Sequence, residues 1–188
     1  MSGVMAGVRA DISRFLDKSP ENRAAGARRK SVASAFLRPE IAALFVYRLS
    51  HFLERTGWPR LAAGLSRVNF ALHKVLIPPQ SCIGPGCRLS HPAGVSFDGR
   101  AGERLTLFSL AVCVRSVPRA GEPVRGGPTL GDRVTVGAHA VVLGPVTVGD
   151  DTTIAHSVRL DRDAPGAVLV VSRSLRLNFT PRTPAPIA

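Results

Sequence analysis

A six-residue period of apolar side chains constrains the fold of this chain more than any other feature of its sequence. The period forms two rows, the first made of Ile77, Ile83, Leu89, Val95, Ala101, Leu107 and Cys113, the second of Leu130, Val136, Val142, Val148, Ile154 and Leu160. Four positions after most of these residues stands a small one, as Ala140 stands after Val136. When two positions in every six residues point inward, each six-residue unit can form one short strand followed by one corner. This is the pattern of a parallel β-helix built from hexapeptide coils, each of which is stable only against its neighbours.

The repeat also predicts which side chains point inward. In the stretch CRLSHPAGVSF, Leu89 and Ala93 take the two inward positions, so we expect His91 to point away from the core. His139 and His156 occupy outer positions and are predicted to be exposed corner residues.

The chain of 188 residues divides into three parts. Residues 1–75 are predicted to be helical, with helices opened by Pro39 and Pro59 and a short earlier helix from Asp11 to Asp17. Residues 76–170 form the hexapeptide domain, and residues 171–188 a Pro-rich tail. A Gly-, Pro- and Arg-rich segment over residues 114–129 interrupts the rows and is predicted to be an extruded loop, a common place for functional residues. The fold class is therefore an α+β solenoid.

Composition narrows the cellular setting and the partners. The longest apolar run near the N-terminus is far shorter than the roughly 20 residues that cross a bilayer, and no signal peptide is apparent. The three cysteines form no disulfide or zinc pattern, which fits a reducing cytoplasm. A formal net charge of +12 suits anionic partners. No nucleic-acid-binding motif accompanies it, so neither a nucleic acid nor a membrane is predicted as partner.

The order of segments resembles the serine O-acetyltransferase branch of the hexapeptide acyltransferases. The resemblance covers about residues 40 to 175 and rests on the helical front end, then IPPQSCIGPGCRLSHPAGVSF, the Gly-rich loop, and LGDRVTVGAHAVVLGPVTVGDDTTIAHS. It implies a left-handed β-helix that transfers an acyl group from acetyl-CoA, or another acyl-CoA, to the hydroxyl of a small amino-acid-like acceptor, without a metal. It also implies homotrimers, sometimes paired, with active sites between subunits and room for another enzyme of the pathway as a partner.

The resemblance places the family's catalytic histidine on His91. An imidazole beside a hydroxyl can take its proton as the oxygen attacks a thioester. On the cofactor side, Ala138 matches a small residue whose backbone faces the pantetheine arm, and His156 takes the equivalent place one coil later. Arg173 is a candidate contact for a CoA phosphate, since Arg suits phosphate geometry.

On the acceptor side, Arg125 in the loop is a candidate for the family's substrate-reading arginine. Asp98 is a candidate replacement for the carboxylate that orients the histidine.

Three other functional positions of the family carry different residues in this chain. The orienting acid falls on Leu76, the aspartate before the histidine on Ser90, and a second histidine on Gly127. A histidine base without a carboxylate partner loses control of its tautomer and stabilisation of its charged form. Three functions therefore stay open: an acyltransferase whose acceptor is not free serine, a trimeric enzyme with a changed substrate or reaction, or an inactive scaffold.

Overall fold

The computed structural model describes residues 2–18, 38–116 and 126–172. Its helices are α1 (Ser2–Lys18), α2 (Pro39–Arg55) and α3 (Pro59–His73). Proline occupies the first turn of α2 and of α3, where a missing amide hydrogen costs nothing. Both predicted helix starts are confirmed, whereas α1 is far longer than the helix predicted from Asp11 to Asp17. None of the described helices is long and apolar enough to cross a membrane.

The strands that follow form three parallel sheets, which make the three sides of a prism. Sheet 1 contains β1 (Val75–Leu76), β4 (Val95–Phe97), β7 (Val112–Arg115), β10 (Val141–Gly144) and β13 (Arg159–Leu160). Sheet 2 contains β2 (Cys82–Ile83), β5 (Arg100–Ala101), β8 (Thr129–Leu130) and β11 (Thr147–Val148). Sheet 3 contains β3 (Arg88–Ser90), β6 (Thr106–Phe108), β9 (Thr135–Val136), β12 (Thr153–Ile154) and β14 (Leu169–Val170). One strand from each sheet makes a coil, as the hexapeptide pattern predicts.

The predicted inward rows are confirmed along most of the solenoid. Every aliphatic position of the second row is buried, from Leu130 to Leu160. The small positions Cys87, Ala111 and Ala140 are fully buried as well. Leu105, a large residue at a small position, is also completely buried. The solenoid core is therefore thin, continuous and apolar.

The turn that contains His91, between the inward residues Leu89 and Phe97, departs from the six-residue step. Leu89 pairs with Leu107, and Phe97 pairs with Cys113. Two inward positions are thus separated by 97 − 89 = 8 residues in this coil and by 113 − 107 = 6 in the next. The turn that carries His91 is two residues longer than its successor.

This insertion overturns one prediction. Ala93 is exposed and does not occupy the inward position that the repeat assigned to it. Val95 takes the small inward position and Phe97 the aliphatic one, and both are buried. The chain recovers its register by Ala101, which pairs with Ile83.

The extruded loop is shorter than predicted. Arg115 belongs to β7, where it pairs with Gly144, and Thr129 belongs to β8. Pro128 is buried in the coil. Residues 117–125, and with them Arg125, lie outside the described residues, as do the segment 19–37 and the residues from Arg173 onward.

A buried ion pair joins the helices to the first coil of the solenoid. Arg48 of α2 lies 3.1 Å from Asp11 of α1 and also donates to the carbonyl oxygens of Ile83 and Gly84. The Asp11 carboxylate in turn accepts a hydrogen bond of 2.7 Å from the Cys87 amide. Two helices and one coil thus share a single polar cluster.

Candidate active site

The candidate site lies along one edge of the prism, where the chain passes from sheet 3 to sheet 1. We call this the 3–1 edge; it contains residues 91–94, 109–110, 137–139 and 155–157. Each turn has a left-handed residue at the equivalent position, and these residues are Gly94, Leu110, His139 and Ser157. The Leu110 amide donates to the carbonyl of Ala93 at 3.0 Å, and the amides of His139 and Ser157 bond to the preceding turn in the same way. The turns are therefore stacked at the spacing of adjacent strands, about 4.8 Å per coil.

His91 is the exception on this edge. Its φ is 56°, although Gly94 already supplies the left-handed position that the turn requires. A left-handed non-glycine residue costs about 1 kcal/mol or more, and functional sites are a common place for such strain. The His91 side chain is exposed, as predicted, and makes no hydrogen bond or ion pair with a described residue. The two-residue insertion thus presents an uncommitted imidazole to the outside of the solenoid.

Apolar side chains lie beside His91 on the next coil. Phe108, which pairs with Ser90, is 36% exposed, and Leu110 is 43% exposed. A Cβ atom at Gly94 would overlap the end of the Leu110 side chain, so glycine leaves room for Leu110 in its present position. Sequence reasoning missed both apolar residues, although their outward hexad positions were a usable signal.

Two of the three residues predicted to contact the cofactor, Ala138 and His156, lie on the same edge as His91, whereas Arg173 lies outside the described residues. Ala138 is two turns further along the solenoid and His156 three, or about 10 and 14 Å at the spacing of stacked strands. His139 and His156 are exposed, as the repeat predicts. Within residues 2–18, 38–116 and 126–172, no three His, Cys, Asp or Glu side chains form a group that could hold a metal ion. The 3–1 edge therefore offers a line of histidines and small residues along the solenoid axis.

Asp98, one of the two predicted acceptor residues, lies on a different edge, where sheet 1 meets sheet 2, whereas Arg125 lies outside the described residues. The Asp98 carboxylate accepts hydrogen bonds from Arg115 Nε at 2.7 Å and Nη2 at 3.1 Å. This contact raises the pKa of Arg115 above its usual value. Asp98 follows β4 whereas His91 precedes it, and the structure shows no contact between them. Asp98 is thus engaged by Arg115 and does not orient His91 within the same chain.

Gly127 lies against Asp98 on this second edge. A Cβ atom at Gly127 would overlap the Asp98 carbonyl oxygen and lie 2.9 Å from its carbonyl carbon. The backbone here leaves no room for any side chain. The position on which the family's second histidine falls is therefore closed to a histidine in this chain.

The outer face of sheet 1 connects the two edges and is mostly aliphatic. Its outward side chains are Leu76, Val112, Val114, Val141 and Leu143, together with the polar Ser96 and Arg159. Leu76 is 42% exposed and the other aliphatic ones are partly buried. The outward side chains of sheet 2 are Cys82, Arg100, Thr129 and Thr147, all exposed. Aliphatic surface is thus concentrated on the side of the prism that lies between the edge with His91 and the edge with Asp98.

Comparison with known proteins places this architecture among the hexapeptide-repeat transferases. Residues 127–162 match the family model described as bacterial transferase hexapeptide (six repeats). The chain is 34% identical over 142 residues to a serine acetyltransferase of Helicobacter pylori, covering 73% of this chain and 81% of that protein. It is 29% identical over 173 residues to a serine acetyltransferase of Mycobacterium tuberculosis, covering 89% of this chain and 70% of that protein. The chain belongs to the serine acetyltransferase family.

Solved structures agree with this assignment at the level of the fold. The serine acetyltransferase of Neisseria gonorrhoeae matches with a TM-score of 0.80 at 22% identity, over 92% of this chain and 63% of that one. The soybean serine acetyltransferase complexed with serine matches with a TM-score of 0.78 at 21% identity, over 92% of this chain and 69% of that one. The chain thus spans about two thirds of the length of these structures, with three parallel sheets consistent with the left-handed β-helix.

Proposed function

We propose that this chain is an acyl-CoA-dependent O-acyltransferase that acts on a serine-like amino acid or a specialised metabolite, with His91 as general base. The observation that carries the proposal is the turn of His91. The insertion places an unpaired imidazole on an exposed edge, in line with Ala138 and His156. A hexapeptide coil needs neither the two extra residues nor a second left-handed residue there.

Acyl transfer from a thioester to a hydroxyl requires one proton acceptor beside the thioester. His91 takes the proton of the acceptor hydroxyl as the oxygen attacks the thioester carbonyl carbon. The carbon–sulfur bond then breaks, and the imidazolium returns the proton to the departing sulfur, so that His91 ends as it began. The acyl donor, when bound, supplies the activated carbonyl, and the residues that would hold it are Ala138 and His156 on the same edge. Arg173 remains a candidate for its phosphates.

A second copy of the chain would complete the site. His91 lies at one border of sheet 1, whereas Asp98 and Arg115 lie at the other. Burying apolar surface favours the packing of a second copy on the outer face of sheet 1. Such a neighbour would bring its acceptor edge, the edge that carries Asp98 and Arg115, to this His91. We therefore propose a homotrimer, or a pair of trimers, with sites between subunits.

The acceptor differs from free serine in this proposal. Leu76 supplies no carboxylate, and Gly127 has no space for a side chain. Phe108 and Leu110 give the His91 side of the cleft an apolar wall. These features favour an acceptor that carries apolar groups near its hydroxyl.

A panel of acceptors tests the proposal. CoA thiol release from acetyl-CoA is measured with serine, with serine derivatives that carry apolar groups on the amine or carboxyl, and with hydroxylated metabolites. We expect release with an apolar derivative to exceed release with serine. CoA binding is measured in parallel by calorimetry. Absence of both binding and release would favour the inactive scaffold, whereas CoA binding without release from any acceptor would favour a changed reaction.

A further inference from the structure

A cavity outside the candidate active site lies between α1 and the solenoid. Its volume is about 280 Å³, and its lining includes Ser13 and Arg14 from α1 and Gly86, Glu103 and Arg104 from the first two coils. It sits at the edge where sheet 2 meets sheet 3, away from the edge that carries His91. The proposed acyl transfer assigns no role to it.

Arg14 is fixed in this cavity with part of its hydrogen-bonding capacity unused. Its Nη1 donates to the carbonyl oxygens of Gly86 and Leu105, and its Nη2 donates to Thr106 Oγ1 at 2.8 Å. Its Nε is buried and has no hydrogen-bond partner among the described residues. A guanidinium has five N–H donors, and three are used by these hydrogen bonds. Because Nε is enclosed by protein, the donor left for a ligand is the second N–H of Nη2.

The charges around Arg14 are mostly of its own sign. Arg104 is exposed and makes no side-chain hydrogen bond or ion pair with a described residue, and the Nε of Arg88 is another buried donor without a partner. Burial, followed by repulsion from Arg104 and Arg88, lowers the pKa of Arg14. The Asp11 carboxylate nearby is already taken by Arg48. Among the described residues that line the cavity, Glu103 alone carries a carboxylate.

We propose that this cavity binds a small oxyanion, a phosphate or carboxylate group, between the guanidinium groups of Arg14 and Arg104. A guanidinium fork matches the geometry of both groups. Because Arg14 belongs to α1 and Arg104 to the second coil, the bound anion clamps the first helix onto the solenoid. Phosphoryl and carboxyl ligands share this recognition chemistry, and separate titrations distinguish them.

The test is calorimetric titration of the full chain with inorganic phosphate and, separately, with acetate, at constant ionic strength. We expect saturable binding of at least one of them. Arg104→Ala weakens that binding about tenfold or more, the effect of losing a charged hydrogen-bond donor. Glu103→Gln tightens it, because the substitution removes the one repelling carboxylate. Arg67→Ala removes an exposed arginine from α3, away from the cavity, and leaves the affinity unchanged.

A second readout separates a clamp from a general response to salt. Hydrogen exchange of the α1 amides slows when the anion saturates the wild-type chain, and it does not slow in Arg104→Ala. Absence of saturable binding of either anion overturns the proposal. Equal affinities of wild type, Arg104→Ala and Arg67→Ala also overturn it, as does binding that leaves α1 exchange unchanged. None of these outcomes depends on acyltransferase activity.

Discussion

The buried pair of Asp11 and Arg48 predicts how α1 is held, and Asp11→Ala tests it. The Asp11 carboxylate accepts from Arg48 Nε at 3.1 Å, from Arg48 Nη2 at 3.2 Å and from the Cys87 amide at 2.7 Å. Both side chains are nearly buried, at 2% exposure for Asp11 and 10% for Arg48. Removing the carboxylate leaves a buried guanidinium without its counter-charge, which costs about 3–5 kcal/mol.

This cost is comparable to the burial of the main apolar side chains that dock α1. Among the described side chains of α1, Val8 and Ile12 are buried against Ile41 of α2, and Val4 and Phe15 are partly buried beside them. Each such side chain contributes about 1.5–3 kcal/mol on full burial. We therefore expect Asp11→Ala to weaken the docking of α1, which keeps the hydrogen bonds of Arg14 to the first coils, while the solenoid, with its separate continuous core, stays folded.

Hydrogen exchange of residues 2–18, together with urea unfolding of the solenoid, measures this effect. The control Arg9→Ala changes an exposed residue of α1 and should cost no more than about 0.5 kcal/mol. The double variant Asp11→Ala, Arg48→Met removes both charges, so its loss should be smaller than the sum of the two single losses by about 1–3 kcal/mol. Additive losses, or full protection of α1 in Asp11→Ala, would refute this reasoning.

Two further predictions concern the acceptor edge and the thiols. Gly127→His should destabilise the chain by about 2 kcal/mol, because its Cβ overlaps the backbone of the adjoining coil. A Cβ atom at Gly126 meets nothing within 4 Å, so Gly126→His should be neutral in thermal unfolding. Equal melting temperatures of the two variants would be incompatible with the closed backbone. Burial raises the pKa of both Cys87 and Cys113 to about 12, so that at pH 8 on the order of one in ten thousand of these thiols is ionised. Only the exposed Cys82 should therefore react with a thiol reagent in the native chain. Labelling of more than one thiol per native chain, as counted by mass spectrometry, would contradict this.

The hexapeptide core could be predicted from the sequence because two side chains in every six point inward whatever the corners contain. The two-residue shift of register at His91 could not be predicted in this way. Val95 stands in the six-residue row, and Phe97 is equally apolar, so the sequence does not show which of them takes the aliphatic position. Ala101 returns to the row and conceals the two-residue insertion. The exposure of His91 was predicted correctly, although Ala93 was wrongly placed inside.

The polar contacts between segments were not predictable from periodicity. Asp11 and Arg48 stand 37 positions apart on different helices, and either is typical of a solvated face. Their burial depends on how two helices meet the first coil, which no local pattern encodes. The same holds for Arg115, which was predicted to be a loop residue and instead extends β7 and engages Asp98.

The kinetic effect of removing the His91 imidazole tests the proposed catalysis most directly. With acetyl-CoA and the best acceptor of the panel, His91→Ala should lower kcat/KM about 10²–10⁴-fold, the usual contribution of a general base. Its affinity for CoA should stay within a few-fold of wild type. His139→Ala, an exposed left-handed histidine on the same edge, should retain activity. Equal rates of CoA release by wild type and His91→Ala would contradict the assignment of His91 as the base.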